Sequence, residues 1–552
     1  MPVHDSPVED VLNNLVEQFS DVYCFYRELI QNSIDAGSNR VDVKLEFIPP
    51  EKDGGDGVIT INIDDYGEGM NKRIIETQLT RLFSSSKEDD LSKIGKFGIG
   101  FVSVFAIKPQ AVIIDTSRDG EDWRIMFKEN KEFDLFRRDY PVEGTKVKII
   151  KSGNKKFYDH FLRKSKETVV FWCKHTEAEI WFQNEKINQP FELDSVLSIR
   201  EKSQKAEIIA GYVNEDIPFF GFYNQGLTLI EGRKKFHNNT HFKIKSRYLE
   251  HTLTRDNIRE DENYWKVMEI LNNLVKTNLP EKLFETVENQ LISDSNETEL
   301  YQELIPFTLA YFVKPDSMPA SCKERKIART TEGAFLTPLS LLRLRENGGF
   351  LYDARSNEVT RALAAQDKTI IKCGQSSVLF SLLEKLAETP KGNLPVTQAS
   401  SSFYITRLVP DSELPEAAGK IARMVDYINK KMKRKTGNCR FAGFDYPDSC
   451  ISDRLYVMQN KPGGVSEAAD LDQREKKSSS LFSLFSSSGT LVINISHPYI
   501  MKICSLAETN PDIASYFLAK LLYMDDGVET NTDAALAMIT LEKDNGRIIR
   551  KE

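Results

Sequence analysis

The stretch Arg27-Glu28-Leu29-Ile30-Gln31-Asn32-Ser33-Ile34-Asp35-Ala36-Gly37 decides how the first 150 residues are read. On a helix, Glu28 and Asn32 are four apart and Asp35 follows three later, so the three side chains share one face. Leu29, Ile30 and Ile34 point away from that face, toward a core. Folding does not require a row of carboxylate, amide and carboxylate beside an apolar row. Such a row suits a site that orients a water molecule and holds a magnesium ion with oxygen ligands. A solvated helix face is the plainer reading of the same residues.

Two further motifs follow in order. Asp65-Tyr66-Gly67-Glu68-Gly69-Met70 ends the alternating run Ile59, Ile61, Ile63. An aspartate at a strand end can accept a hydrogen bond from an exocyclic amine such as that of adenine. The glycines let the backbone approach a flat ring, and Met70 can pack on its face. Gly95-Lys96-Phe97-Gly98-Ile99-Gly100-Phe101 then opens the apolar stretch Phe101 to Ile107. A glycine-rich turn at a helix start presents N–H groups to an anion. Thr145, in Glu143-Gly144-Thr145, is placed to donate to an aspartate or to a base. Each motif alone has a bland reading as a turn or a tight loop; the weight lies in their joint occurrence and order. No G-x-x-x-x-G-K-[ST] motif occurs, which excludes a P-loop site.

Around these motifs, helical spacing runs from Val8 to Ile34 with a break at Ser20-Asp21, and strand alternation marks Val41–Phe47, Ile59–Ile63, Ala111–Ile114, Trp123–Ile125 and Thr145–Ile149. The expected fold class is α/β (α+β), with an N-terminal α/β sandwich of mixed sheet and helices. The polar segment Lys151–Lys156 reads as a hinge. Further breaks at Ser293–Asn296 and Glu388–Ser401 divide the chain into expected domains at 1–150, 157–292, 300–397 and 402–552. The 552 residues suggest about three or four domains. A net charge of -8 with both signs dispersed argues against bulk-charge binding of nucleic acid. Seven widely spaced cysteines without C-x-x-C fit reduced thiols rather than a disulfide frame or a zinc site. His237 and His241 are four apart but lack an obvious third ligand. The start Met1–Asp5 carries no targeting pattern, and no apolar run approaches the ~20 residues of a membrane span; the expected location is cytoplasmic.

The stretch Asp5 to Ile150 resembles the Bergerat ATPase fold shared by gyrase, heat-shock chaperones, histidine kinases and MutL. Its wording is most similar to the heat-shock protein 90 family, in particular bacterial HtpG. The resemblance implies an N-terminal Bergerat ATP-binding domain, an α/β transducer-like middle domain and an α+β C-terminal dimerisation domain. It implies ATP and Mg2+ as cofactors, with Glu28 as general base, Asn32 as the magnesium ligand and Asp65 as the reader of adenine. Asp35, Gly67, Gly69, Met70, Ser85, Lys96, Phe97, Gly98, Ile99, Gly100, Phe101 and Thr145 complete the implied ATP site. Two departures stand out. The segment after Ser84-Ser85-Ser86-Lys87 is shorter than the family's lid. Lys96 replaces the usual glutamine, and either reaches the γ-phosphate or faces solvent.

Beyond this region, Leu249–Ile258 resembles the middle-domain loop that carries the family's catalytic arginine, here Arg255, with a helix expected at Trp265–Leu274. Leu491–Pro498 and the helical run after Asn510-Pro511-Asp512 resemble the HtpG dimerisation domain. Leu481–Phe485, apolar within serines, either contacts a client or covers the core. The function implied is an ATP-driven, homodimeric chaperone acting on client proteins. A Bergerat ATPase switch with one dedicated partner is the alternative, and a MutL-like enzyme on nucleic acid is disfavoured by charge and by the arginine.

Overall fold

The computed structural model describes residue 16 and residues 21–51, 55–81, 99–252, 257–293, 298–431, 439–469, 471, 489–523, 533–535 and 537–538. Two compact units divide the chain, Met1–Leu279 and Pro280–Glu552.

The first unit opens with the helix Phe25–Asp35, preceded by a turn in which the Asp21 carboxylate accepts the Tyr23 N–H at 2.9 Å. An eight-stranded sheet follows. Its strands are β1 (Arg40–Ile48), β2 (Gly57–Asp65), β3 (Ala111–Arg118), β4 (Glu121–Lys128), β5 (Phe133–Arg137), β6 (Thr145–Gly153), β7 (Glu179–Phe182) and β8 (Glu185–Lys186). Their order is β5-β4-β3-β6-β2-β1-β7-β8. Only β7 runs parallel to its neighbour β1; the other pairs are antiparallel. The alternation expected for β2 is present: Ile59, Ile61 and Ile63 are buried with Val41, Val43, Val112, Ile114 and Ile149. The α/β expectation for the N-terminal part is met.

The hinge expected at Lys151–Lys156 is not a hinge. Lys151–Gly153 complete β6, whose neighbour β2 pairs with them in register. Asn154 then caps the helix Lys155–Cys173, its side chain accepting the Phe157 N–H at 2.9 Å, an arrangement worth about 1 kcal/mol. Tyr158, Phe161, Val169 and Cys173 sit at helical spacing and bury into the same core as β1 and β2. Lys155 and Lys156 are the solvent face of the helix start, while the half-buried Lys151 donates to the Ile107 carbonyl at 2.6 Å. The sheet therefore extends past residue 150, to β8.

The rest of the unit is a five-stranded sheet of β9 (Leu197–Lys202), β10 (Glu207–Tyr212), β11 (Phe219–Asn224), β12 (Leu227–Arg233) and β13 (Thr240–Lys245), in the order β12-β11-β13-β10-β9. The helix Glu262–Asn273 packs on it through Tyr264, Val267 and Leu271, against Phe222, Phe242 and Ile244. It begins three residues before the expected Trp265, because Asp261 accepts the Asn263 and Tyr264 N–H groups and so fixes the start.

The second unit is mixed α/β. Residues 350–353, 370–372 and 396–398 form a small parallel sheet. Toward the C-terminus, the strand Thr490–Asn494 lies inside a four-stranded sheet covered by the helices Glu416–Lys431, Pro498–Thr509 and Pro511–Tyr523. The last helix starts as its sequence requires, with the Asn510 side chain accepting the Ile513 N–H at 3.2 Å and Pro511 at the first position. Leu481–Phe485 lies outside the described residues. No helix among the described residues is long and apolar enough to cross a membrane, and none of the seven cysteines is in a disulfide.

Candidate active site

The helix Phe25–Asp35 turns two unlike faces outward and inward. Phe25, Tyr26, Leu29 and Ile30 are buried in the core, and Tyr26 donates to Ser165 Oγ at 2.9 Å on the helix Lys155–Cys173. Along the other face Glu28 is buried, whereas Asn32 and Asp35, one and two turns on, are exposed. A carboxylate withdrawn from solvent thus sits one turn behind an accessible amide.

Asp65, the last residue of β2, is 7% exposed. Burial raises its carboxyl pKa, and three hydrogen bonds pull it back. The Gly67 and Thr145 N–H groups both donate to Oδ1 at 3.0 Å, and the Ser33 hydroxyl donates to Oδ2 at 3.1 Å. Ser33 also lies 3.0 Å from its own Leu29 carbonyl. A buried carboxylate held by its neighbours in one orientation is suited to reading a hydrogen-bond donor on a planar ligand.

Beside it, Thr116 of β3 accepts the Met70 N–H at 2.8 Å and lies 3.2 Å from the Thr145 hydroxyl. Gly69 turns the chain at φ 65°, and Met70 is partly buried against the core. These contacts fasten the Asp65–Met70 turn to β3 and β6, so the strand end and the turn form one rigid wall.

Of the third motif, Ile99, Gly100 and Phe101 are described. The expected apolar helix is instead a short α-turn, Ile99–Val102, continued by a 3-10 turn, Ser103–Ile107, and ended by Lys108 in the left-handed region. Phe101 packs on Phe105 and Phe127 and belongs to the core. Gly100 meets the helix Phe25–Asp35 directly: a Cβ placed on it would lie 2.5 Å from Glu28 Oε2. The glycine is what lets the backbone at residue 100 approach the Glu28 carboxylate. Ser85, Lys96, Phe97 and Gly98, the short lid and Arg255 lie outside the described residues.

The structure thus gathers Glu28, Asn32, Asp35, Asp65, Gly67, Gly69, Met70, Gly100 and Thr145 around one end of the sheet. Two contributors escape the sequence reading, Ser33 and Thr116. Both are small polar residues inside apolar periodicity, where a hydroxyl has to find a partner once buried; that mismatch was their only signal. Among the described residues no group of three or more His, Cys, Asp or Glu is placed to hold a metal. His241 instead lies 3.3 Å from Glu215, and burial lowers the pKa of His237. A magnesium ion carried by phosphates needs few protein oxygens, and the exposed Asn32 amide beside Glu28 fits that demand.

Residues 26–155 match the family described as histidine kinase-, DNA gyrase B-, and HSP90-like ATPase. The chain is 29% identical over 245 residues to the chaperone protein HtpG of Anaplasma phagocytophilum (strain HZ), covering 39% of this chain and 37% of that one. It is 28% identical over 274 residues to HtpG of Rickettsia canadensis (strain McKiel), covering 41% of each. With HtpG of Clostridium acetobutylicum the identity is 26% over 168 residues, 28% of this chain and 26% of that one. The chain spans no more than 41% of the length of these relatives. Residues 26–155 therefore resemble the ATPase domain of the histidine kinase, DNA gyrase B and HSP90 type, in a chain whose similarity lies with the HtpG-like branch of the heat-shock protein 90 family.

Proposed function

We propose that the chain binds ATP against Asp65 and the Glu28–Asp35 face and hydrolyses it to ADP and phosphate. The observation that carries this reading is the pairing of a held, buried Asp65 with a buried Glu28 in a domain of this family. Asp65 Oδ atoms accept the adenine amine, with Asp35, Gly69 and Thr145 assisting. By family resemblance, the N–H groups of Lys96 to Phe101, with Ser85, would bind the phosphates. Glu28 takes a proton from water as its oxygen attacks the γ-phosphorus and the bond to the β-phosphate oxygen breaks. Asn32 holds Mg2+, which when bound offsets phosphate charge. Arg255, from the segment Leu249–Ile258, stabilises the charge that develops on the transferred group.

We read the whole chain as an ATP-dependent chaperone of the HtpG type, cytoplasmic and homodimeric through its C-terminal region, acting on client proteins. Support for the dimer comes from the helix Pro511–Tyr523, which leaves Ile513 and Phe517 on its outer side. A switch with one dedicated partner is the second reading. It is favoured by the limited span of similarity, less than half of either chain. The deciding experiment is ATP turnover and ATP binding by the full chain and by Glu28→Ala and Arg255→Ala. Glu28→Ala should bind ATP and fail to turn it over, and Arg255→Ala should slow turnover at nearly unchanged affinity. Wild-type turnover in Glu28→Ala would remove the general base from the proposal.

A further inference from the structure

Two contacts of the Trp172 ring connect the helix that carries Glu28 to the segment that carries Arg255. The Arg27 guanidinium, on a residue only 7% exposed, lies over the Trp172 ring at 4.8 Å from its centroid. The other side of the series is His251, whose ring meets Trp172 nearly edge-on at 6.4 Å. His251 and Ile258 form an antiparallel bridge, and the Thr252 N–H donates to the Asn257 carbonyl at 2.9 Å and the Arg259 N–H to Glu250 at 2.7 Å. These bonds close the base of the segment between 252 and 257.

Trp172 does not move freely with the helix Phe25–Asp35, because the five-stranded sheet grips the end of its own helix. Thr228 Oγ1 on β12 donates to the Phe171 carbonyl at 2.6 Å. Lys174 pairs with the mostly buried Glu231 at 2.7 Å, and Tyr223 donates to the same carboxylate at 2.5 Å. At Gly226, between β11 and β12, a Cβ would lie 1.9 Å from the His175 carbonyl, so the hairpin lies flush on the backbone just past Cys173. Trp172 is therefore fixed to the second sheet while its face holds the residue preceding Glu28.

We infer that Trp172 is a positioning residue for ATP turnover: through Arg27 it sets where Glu28 stands relative to the His251–Ile258 base. The inference rests on the ATPase reading above. A cation over an aromatic face in a desolvated setting is a specific restraint, stronger than the packing of an equally bulky aliphatic group. Two full-length variants separate the restraint from simple bulk. Trp172→Leu and Trp172→Phe both shrink the side chain; Leu loses the π face and Phe keeps one. Steady-state turnover and ATP affinity by calorimetry are the readouts. Trp172→Leu should lower kcat about tenfold with affinity within about twofold of wild type, and Trp172→Phe should recover most of the rate. The inference is overturned if Trp172→Leu turns over at the wild-type rate, if it loses affinity in step with kcat, or if Phe does no better than Leu. A wild-type chain that binds no ATP, or never hydrolyses it, overturns the ATPase reading itself, and that is seen before any Trp172 variant is assayed.

Discussion

Gly100→Ala tests the geometry around Glu28 with one methyl group. The added Cβ would stand 2.5 Å from Glu28 Oε2, against about 3.4 Å for ordinary contact, and its other near neighbours are the Cδ and Cβ of the same side chain. The Glu28 carboxylate, at the far end of its side chain, must retreat by about 0.9 Å. A shift of ~1 Å in a reacting group costs on the order of 100-fold in rate. Stability should barely change. Gly100 is in the short helical turn Ile99–Val102, where alanine gains up to about 1 kcal/mol over glycine. Turning Glu28 off its preferred rotamer costs about the same. The assay pairs steady-state ATP turnover with an ATP titration and a thermal melt of the same preparation. Turnover near 1% of wild type, with affinity and melting temperature little altered, is the expected result. Wild-type turnover would mean that the Glu28 carboxylate need not stand where it does. A loss of affinity as large as the loss of rate would mean that the methyl obstructs the nucleotide instead.

Asp65→Asn should separate binding from stability. Its raised pKa means that Asp65 favours the fold most below its ordinary value of 3.8 and that this contribution is lost as pH rises through the folded value. Ionised Asp65 is thus a burden at neutral pH. Asparagine can still accept the Gly67 and Thr145 N–H groups, while Ser33 turns its hydroxyl to Leu29. The melting temperature at pH 7 should hold or rise, the gain should vanish toward pH 4, and ATP affinity should fall about 10- to 100-fold; unchanged affinity would remove Asp65 from the base-reading role. The C-terminal interface is tested by Ile513→Glu with Phe517→Glu, at positions 44% and 46% exposed, which should leave the fold intact. Sedimentation should show a wild-type dimer and a variant monomer; a variant that stays dimeric would move the interface elsewhere.

The parts of this fold legible in the sequence are those whose pattern is local. Ile59, Ile61 and Ile63 alternate because one face of β2 is buried, and the Glu28–Asp35 face shows because helical spacing sorts carboxylates from leucines. The site's wall was legible through Asp65 and Thr145, which stand at strand termini where chemistry is commonly displayed. The misread stretch, Lys151–Lys156, has the composition of a linker, yet Lys155 and Lys156 are only the wet side of the following helix and Lys151 is tied to the Ile107 carbonyl. Strand β7 had no local signal of its destination, since its place beside β1 depends on a pairing more than 130 residues apart in the chain. Trp172 was equally silent. Its role arises from a cation and a ring brought to it by two other elements.

The parallel pairing of β7 with β1 also sets how this chain can be cut. The family match ends at residue 155, but a piece ending there would lose the core helix Lys155–Cys173 and bare one whole edge of the nine-residue β1. Arg40–Val43 would lose their partners Glu179–Phe182, and Leu45 would lose both its bonds with the Gln183 side chain, one donated and one accepted. An open edge of alternating valine and leucine is a template on which further copies add strands, so such a fragment would tend to aggregate rather than bind nucleotide. Any soluble unit has to include residues to at least Ile187, whose side chain is still part of the core.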